Sequence, residues 1–170
     1  MALNVRALTR IGILLALTLA IQMLRLPQPI TGPLVNAMLV LAAVMVGVLG
    51  GVIIGVLTPW IALANGILSP VLAPAIPFIM AGNAALVLVF GAAARVGAHC
   101  GRRFERVSQV GGVLVGGFVK YLVIAGAVRL LVDVPAAVAL QLPQLFTAWA
   151  GGVLALGVMW GAGFLRGMAR

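Results

Sequence analysis

Six long apolar runs, broken by prolines, glycines and charges, set the pattern of this 170-residue chain. The first runs from about Arg10 to Leu24 and ends in the proline-rich stretch Arg25 to Pro33. The second, from about Leu34 to Leu49, is expected to turn at Gly50-Gly51 into a third that ends near Leu68. Ser69 to Pro74 reads as a loop, the fourth run covers about Ala75 to Ala94, and a basic loop follows through Gln109. The fifth runs from about Gly111 to Val132. Asp133 to Pro143 forms another loop, and the sixth run closes at about Phe164. Each is near the ~17–25 residues that cross the hydrocarbon of a bilayer, the first two being short or tilted. The pattern predicts an all-α polytopic membrane protein, a single domain built as a six-transmembrane-helix bundle. One alternative merges the second and third runs into a re-entrant hairpin, because Gly50-Gly51 carries no charge to fix a turn in water.

Composition agrees. The chain is 64% hydrophobic and only 8% charged, with a mean hydropathy of +1.28. A water-soluble domain of this size could not cover itself with so few polar groups. Of eleven basic residues, Arg6 and Arg10 precede the first run, and Arg95, Arg102, Arg103 and Arg106 fill the polar break. Arg166 and Arg170 follow the last. By the positive-inside rule, both termini and the break face the cytoplasm. The net charge of +9 is dispersed at span ends, not gathered on one face, so it argues for topology and against nucleic acid. Cys100, the single cysteine, excludes an internal disulfide and belongs in the reduced cytoplasmic break. Its neighbour His99 has no second pair with which to hold a metal. Pro27 and Pro29 follow the first run where a cleavage site would stand, so that run is expected to be retained.

Helical periodicity sorts the remaining polar residues onto faces. Gly12, Ala16 and Ala20 make a small-residue stripe on the first helix, fit for close approach of another helix, of this chain or of a partner. Thr18, Gln22 and Arg25 climb the roughly opposite face toward the first loop, where they could line a cavity. On the third helix Gly55, Thr58, Ala62 and Asn65 share a face. Thr58 is expected to bond the backbone that Pro59 frees, and Asn65 could cap the helix end.

The fifth helix carries the sharpest signal. Gly112, Gly116 and Lys120 are spaced four apart, so a smooth face ends in an ammonium near mid-membrane. Its side chain is too short to snorkel from there, so Lys120 should face the bundle interior or a wet cavity. Asn83 on the fourth helix lies at comparable depth, to orient the lysine or to share a ligand with it. Arg129 and Asp133, one turn apart, are expected to pair at the outer interface. Gln144, Thr147 and Gly151 share a face of the sixth helix, and Trp149 could stack on a ring or sit in an interfacial belt.

Glu105 and Asp133 are the only acidic residues, so no carboxylate stands inside a span for a proton relay or cation pump. Lys120 therefore has no protein counter-ion. Either desolvation leaves it neutral, or a ligand supplies an anionic or electron-rich group, and the second is favoured: a small organic anion or a polar ring with acceptor atoms. No phosphate-binding glycine loop, catalytic triad or metal cluster is present. Neither catalysis, a bound cofactor nor ATP use within this chain is expected.

The combination of size and motifs resembles the substrate-binding S components of energy-coupling factor (ECF) transporters, along essentially the whole length. The resemblance rests on the stretch from Ala7 to Gln22 and on Ile30-Thr-Gly-Pro-Leu-Val-Asn36. Val48-Leu-Gly-Gly-Val-Ile-Ile-Gly55 and Pro77-Phe-Ile-Met-Ala-Gly-Asn83 complete it. It implies capture of a vitamin or related micronutrient from outside, then association with a transmembrane coupling subunit and two cytoplasmic ATPases in a prokaryotic plasma membrane. It also implies that the family's Ala-x-x-x-Ala signature, matched by Ala16 and Ala20 and extended by Gly12, contacts the coupling subunit. The pocket would open outward under the Arg25 to Pro33 loop. Depth and face, not the family pattern, nominate Gln22, Arg25, Asn83, Lys120, Gln144 and Trp149 for it. The competing class is an assembly subunit similar to the rod-shape-determining membrane proteins, which needs no buried lysine beside a cavity.

Overall fold

The computed structural model describes residues 5–131 and 141–162, with the side chains of 102, 127–131 and 141–142 excepted. The described chain forms α1 (Val5–Met23), α2 (Gln28–Met45), α3 (Gly47–Ala64), a 3-10 segment (Pro70–Ala75), α4 (Ile76–Ala98), α5 (Arg102–Leu131) and α6 (Gln141–Gly161). Among the described residues there is no strand, and six helices are long and apolar enough to cross a membrane. Short connections make successive helices antiparallel. The connections at 24–27 and 65–75 lie at one end of the bundle, called here the mouth. Val46 and the 99–101 turn lie at the other.

Small residues set how closely the helices meet. A Cβ on Gly112 would strike Ala93 at 2.8 Å, and one on Gly51 would approach the Ala43 backbone nitrogen at 3.1 Å. Between them Leu39, Val40, Ile54, Leu86, Val87, Phe90 and Met159 form a fully buried apolar core. The outside is apolar too: Leu17, Trp60, Leu88, Phe118, Leu122, Phe146 and Val158 are exposed. In water such a surface would drive aggregation; in lipid it is the surface a bundle requires.

Element boundaries depart from the sequence expectation at two informative places. The α2–α3 turn falls at Val46 and Gly47, not at Gly50-Gly51. Gly47 has φ +81°, a left-handed conformation open to glycine at little cost, while Gly50 and Gly51 are buried inside α3, where space is short. Both α2 and α3 are 18 residues long and apolar enough to span. The polar break also shrinks: α4 continues through Arg95 to Ala98, and α5 begins at Arg102, leaving only 99–101 between. A helix can carry these charges because Arg95, Arg103 and Arg106 are exposed while Gln109 turns inward. The Arg129–Asp133 pair, most of the Asp133 to Pro143 loop, and Arg166 and Arg170 lie outside the described side chains.

On α1, Ile11, Leu14 and Thr18 face the bundle, and α1 packs chiefly on α2 and α3. Gly12, Ala16 and Ala20 point the other way and are exposed, and a Cβ on Gly12 would meet nothing within 4 Å. Among the described residues nothing packs on the small-residue stripe.

Candidate functional site

A cavity of about 280 Å³ opens at the mouth, between α1, α2, α3, α4, α5 and α6. Its floor is built around Lys120. The residue is 3% exposed, and Nζ donates to Asn36 Oδ1 and to Asn83 Oδ1, both at 2.7 Å. Each amide is held with its oxygen toward the ammonium by a bond from its other end. Asn36 Nδ2 donates to Gly32 O at 2.9 Å, one turn back on α2. Asn83 Nδ2 donates across to α3, to Gly55 O at 2.9 Å.

That last bond follows from Pro59. A proline has no N–H, so the carbonyl four residues earlier loses its helical donor, and that carbonyl is Gly55 O. Asn83 supplies the missing donor. It comes close because position 55 is glycine: a Cβ there would sit 3.1 Å from the Asn83 Cβ. Thr58, expected to bond the carbonyl freed by Pro59, instead donates to Ile54 O at 2.6 Å. Asn65 donates to Ile61 O at 2.8 Å at the exposed end of α3. Gly82 makes room for the lysine stem: its Cβ would stand 3.2 Å from Lys120 Cγ.

An ammonium has three N–H donors. Two are taken by neutral amide oxygens, and among the described residues no carboxylate pairs with the third. Placing a lysine at the centre of a spanning helix costs about 2.5–3.5 kcal/mol on the membrane-insertion scale. Two neutral acceptors offset part of that, and Lys120 also lines the cavity, which gives the remaining donor an outlet.

The cavity gathers five of the six nominated residues: Gln22, Arg25, Asn83, Lys120 and Gln144. Gln22 Oε1 is buried and accepts no hydrogen bond. Arg25 stands at the entrance with φ +50°, a conformation unusual for a side chain with a Cβ, and its N–H donates to Gln22 O at 3.0 Å. Gln144 is 8% exposed, on the α6 face whose Thr147 and Gly151 meet Gly32, Pro33 and Asn36 of α2. Trp149 is not brought to the cavity. Its Nε1 donates to Leu114 O at 3.0 Å, its ring lies over Gly117 and edge-on to Phe146, and it fastens α6 to α5. Asn36 was not nominated, although it stands in the Ile30 to Asn36 motif. A lone amide amid apolar residues eight positions into α2 is the same signal that singled out Asn83. No group of three or more His, Cys, Asp or Glu that could hold a metal occurs among the described residues.

The family model for the substrate-specific component of ECF transporters matches residues 6–163. The chain belongs to this family. No curated protein and no solved structure matches it. As an ECF substrate-specific component it is a multi-pass protein of a prokaryotic plasma membrane, of the kind that binds substrate and pairs with a membrane coupling subunit and ATPases. Membership decides against the scaffold reading that the sequence left open.

Proposed function

We propose that this S component captures a vitamin or related micronutrient from the outer side of the membrane and delivers it to a coupling subunit bearing two cytoplasmic ATPases. The observation that carries the reading is the floor of the mouth cavity: a buried ammonium, clamped by Asn36 and Asn83 with a donor left over. Family membership supports substrate capture as the cavity's use. Lys120 contacts the solute, Asn83 and Asn36 fix the ammonium, and Gln22, Arg25 and Gln144 complete the contacts nearer the entrance.

The exposed Gly12/Ala16/Ala20 face of α1 docks the coupling subunit. Among the described residues it is free of intrachain packing, and it is smooth enough for backbone approach, which is how helices associate where lipid removes the hydrophobic drive. Capture and docking thus use opposite faces of one helix. Ala16→Leu tests the division. The bulk holds the two backbones apart, so co-purification of the coupling subunit and uptake should fail. Solute binding by the isolated protein should survive. Equal loss of binding and uptake would return the stripe to a role in the protein's own folding.

A further inference from the structure

We infer that the substrate is a non-aromatic anion that carries, distal to its acidic group, an N–H or O–H donor for Gln22. This rests on the capture reading above and narrows the solute class. The hydrogen-bonding groups of the cavity divide into spent and unspent. Asn36 Nδ2, Asn83 Nδ2 and the hydroxyls of Thr58 and Thr31 are all committed to backbone carbonyls, the last to Leu26 O at 2.8 Å. Those groups shape the wall and offer little to a ligand. Among the groups not so committed, Lys120 and Gln22 make opposite demands.

At the floor, Lys120 keeps a donor and a charge that neutral amides do not cancel, and Arg25 adds a second positive group at the entrance. Among the described residues no acidic side chain lines the cavity, which favours an anion over a cation. Near the entrance, Gln22 Oε1 is a buried acceptor with nothing to accept from. An orphaned acceptor is a standing cost that a donor on the ligand removes. The two lie at different depths. Gln22 is one residue from the mouth end of α1, while Asn36, which touches the ammonium, is eight residues below the mouth end of α2. At 1.5 Å per residue their backbones differ in depth along the helices by about 10 Å. Among the described residues the lining has no aromatic ring to stack on, which removes the usual grip on a flat heterocycle.

Gln22 also sits on the helix whose other face is exposed for docking. A ligand bonded to both Gln22 and Lys120 ties α1 to α5 through the cavity, between two helices that share no extensive packing.

The test is a matched panel on the purified full chain in detergent, read by melting temperature and by titration. Biotin and pantothenate are aliphatic carboxylates with distal N–H or O–H donors. Lipoate has the carboxylate without the donor, and biotin methyl ester has the donors without the charge. Thiamine is an aromatic cation, and riboflavin a neutral aromatic. We expect biotin or pantothenate to bind, and lipoate and the ester to bind about tenfold or more weakly than a donor-bearing acid. Gln22→Leu should weaken the binding acid about tenfold while leaving lipoate unchanged. It should not lower the melting temperature of the unliganded protein, because it removes an unpaired acceptor. Best binding by thiamine or riboflavin, or a Gln22→Leu variant with undiminished affinity, overturns this inference and leaves capture standing. A panel in which nothing binds contradicts capture itself and takes this inference with it.

Discussion

Among the described residues two buried polar centres lie toward opposite ends of the bundle, and they are satisfied in opposite ways. Away from the mouth, Gln109 is 2% exposed and bonded at both ends of its amide. Nε2 donates to Glu105 Oε1 at 3.4 Å, and Oε1 accepts from Trp160 Nε1 at 3.0 Å. Arg106 lies over the same indole, 5.5 Å from its centroid, and Ser108 donates to Ala93 O at 2.5 Å. Every partner belongs to the protein, and the result joins α5 to α4 and α6. Toward the mouth, Lys120 Nζ meets only neutral oxygens, while Gln22 Oε1 goes without a donor. A polar cluster that closes on itself holds helices together. One that leaves a donor and an acceptor open into a cavity is arranged for something that is not part of the chain.

The most severe way to break this contrast is to close the mouth-side centre artificially. Asn83→Asp puts a carboxylate against Lys120, supplying internally the counter-charge assigned to the solute and repelling an anion. Solute affinity in a titration should fall about 100-fold, a loss of about 2.7 kcal/mol. An unchanged affinity would mean that the ammonium does not meet an anion. Opening the other centre should do the converse. Gln109→Leu removes the acceptor of Trp160 Nε1 and should cost about 1–3 kcal/mol of stability, seen as a lower melting temperature, with solute affinity intact. A large drop in affinity would show that the two ends are not separable. The mildest probe reports only which centre faces out. Cys100 is exposed in the turn beside the Gln109 end. In intact cells it should resist a membrane-impermeant maleimide, and it should react after permeabilisation. Labelling of intact cells would invert the orientation.

Much of the fold was legible because the bilayer simplifies the code: six runs of sufficient length and apolarity give six helices. Boundaries were less so. Gly47 and Gly50-Gly51 look alike as letters. Only the packing of Gly50 and Gly51 against Val46, Ile11, Ala43 and Val87 shows that they are spacers and that Gly47 is the turn. The start of α5 was hidden because Arg103, Arg106 and Gln109 read as a polar break, although they divide between an exposed and a buried face. At the site, the depth of Lys120 and Asn83 could be counted from span ends and the face of Gln22 from periodicity, whereas Arg25 lies past the end of α1 and reaches the cavity from the connection to α2. The role of Asn36 depends on α2 lying beside α5, and the placement of Trp149 over Gly117 on how α6 is rotated. Neither follows from the local sequence.

The central claim is that the clamped ammonium holds the solute, and Lys120→Met examines it with the least disturbance. Methionine keeps the length of the side chain and removes the charge, and water entering the cavity can serve the amide oxygens of Asn36 and Asn83. Native mass spectrometry of the protein released from detergent should find a small molecule on the wild type and none, or far less, on Lys120→Met. Titration should show a loss of about 1.5–3 kcal/mol, the usual worth of a hydrogen bond to a charged group, with an unchanged melting temperature for the unliganded proteins. A folded Met variant that retains the same molecule with the same affinity would contradict the account.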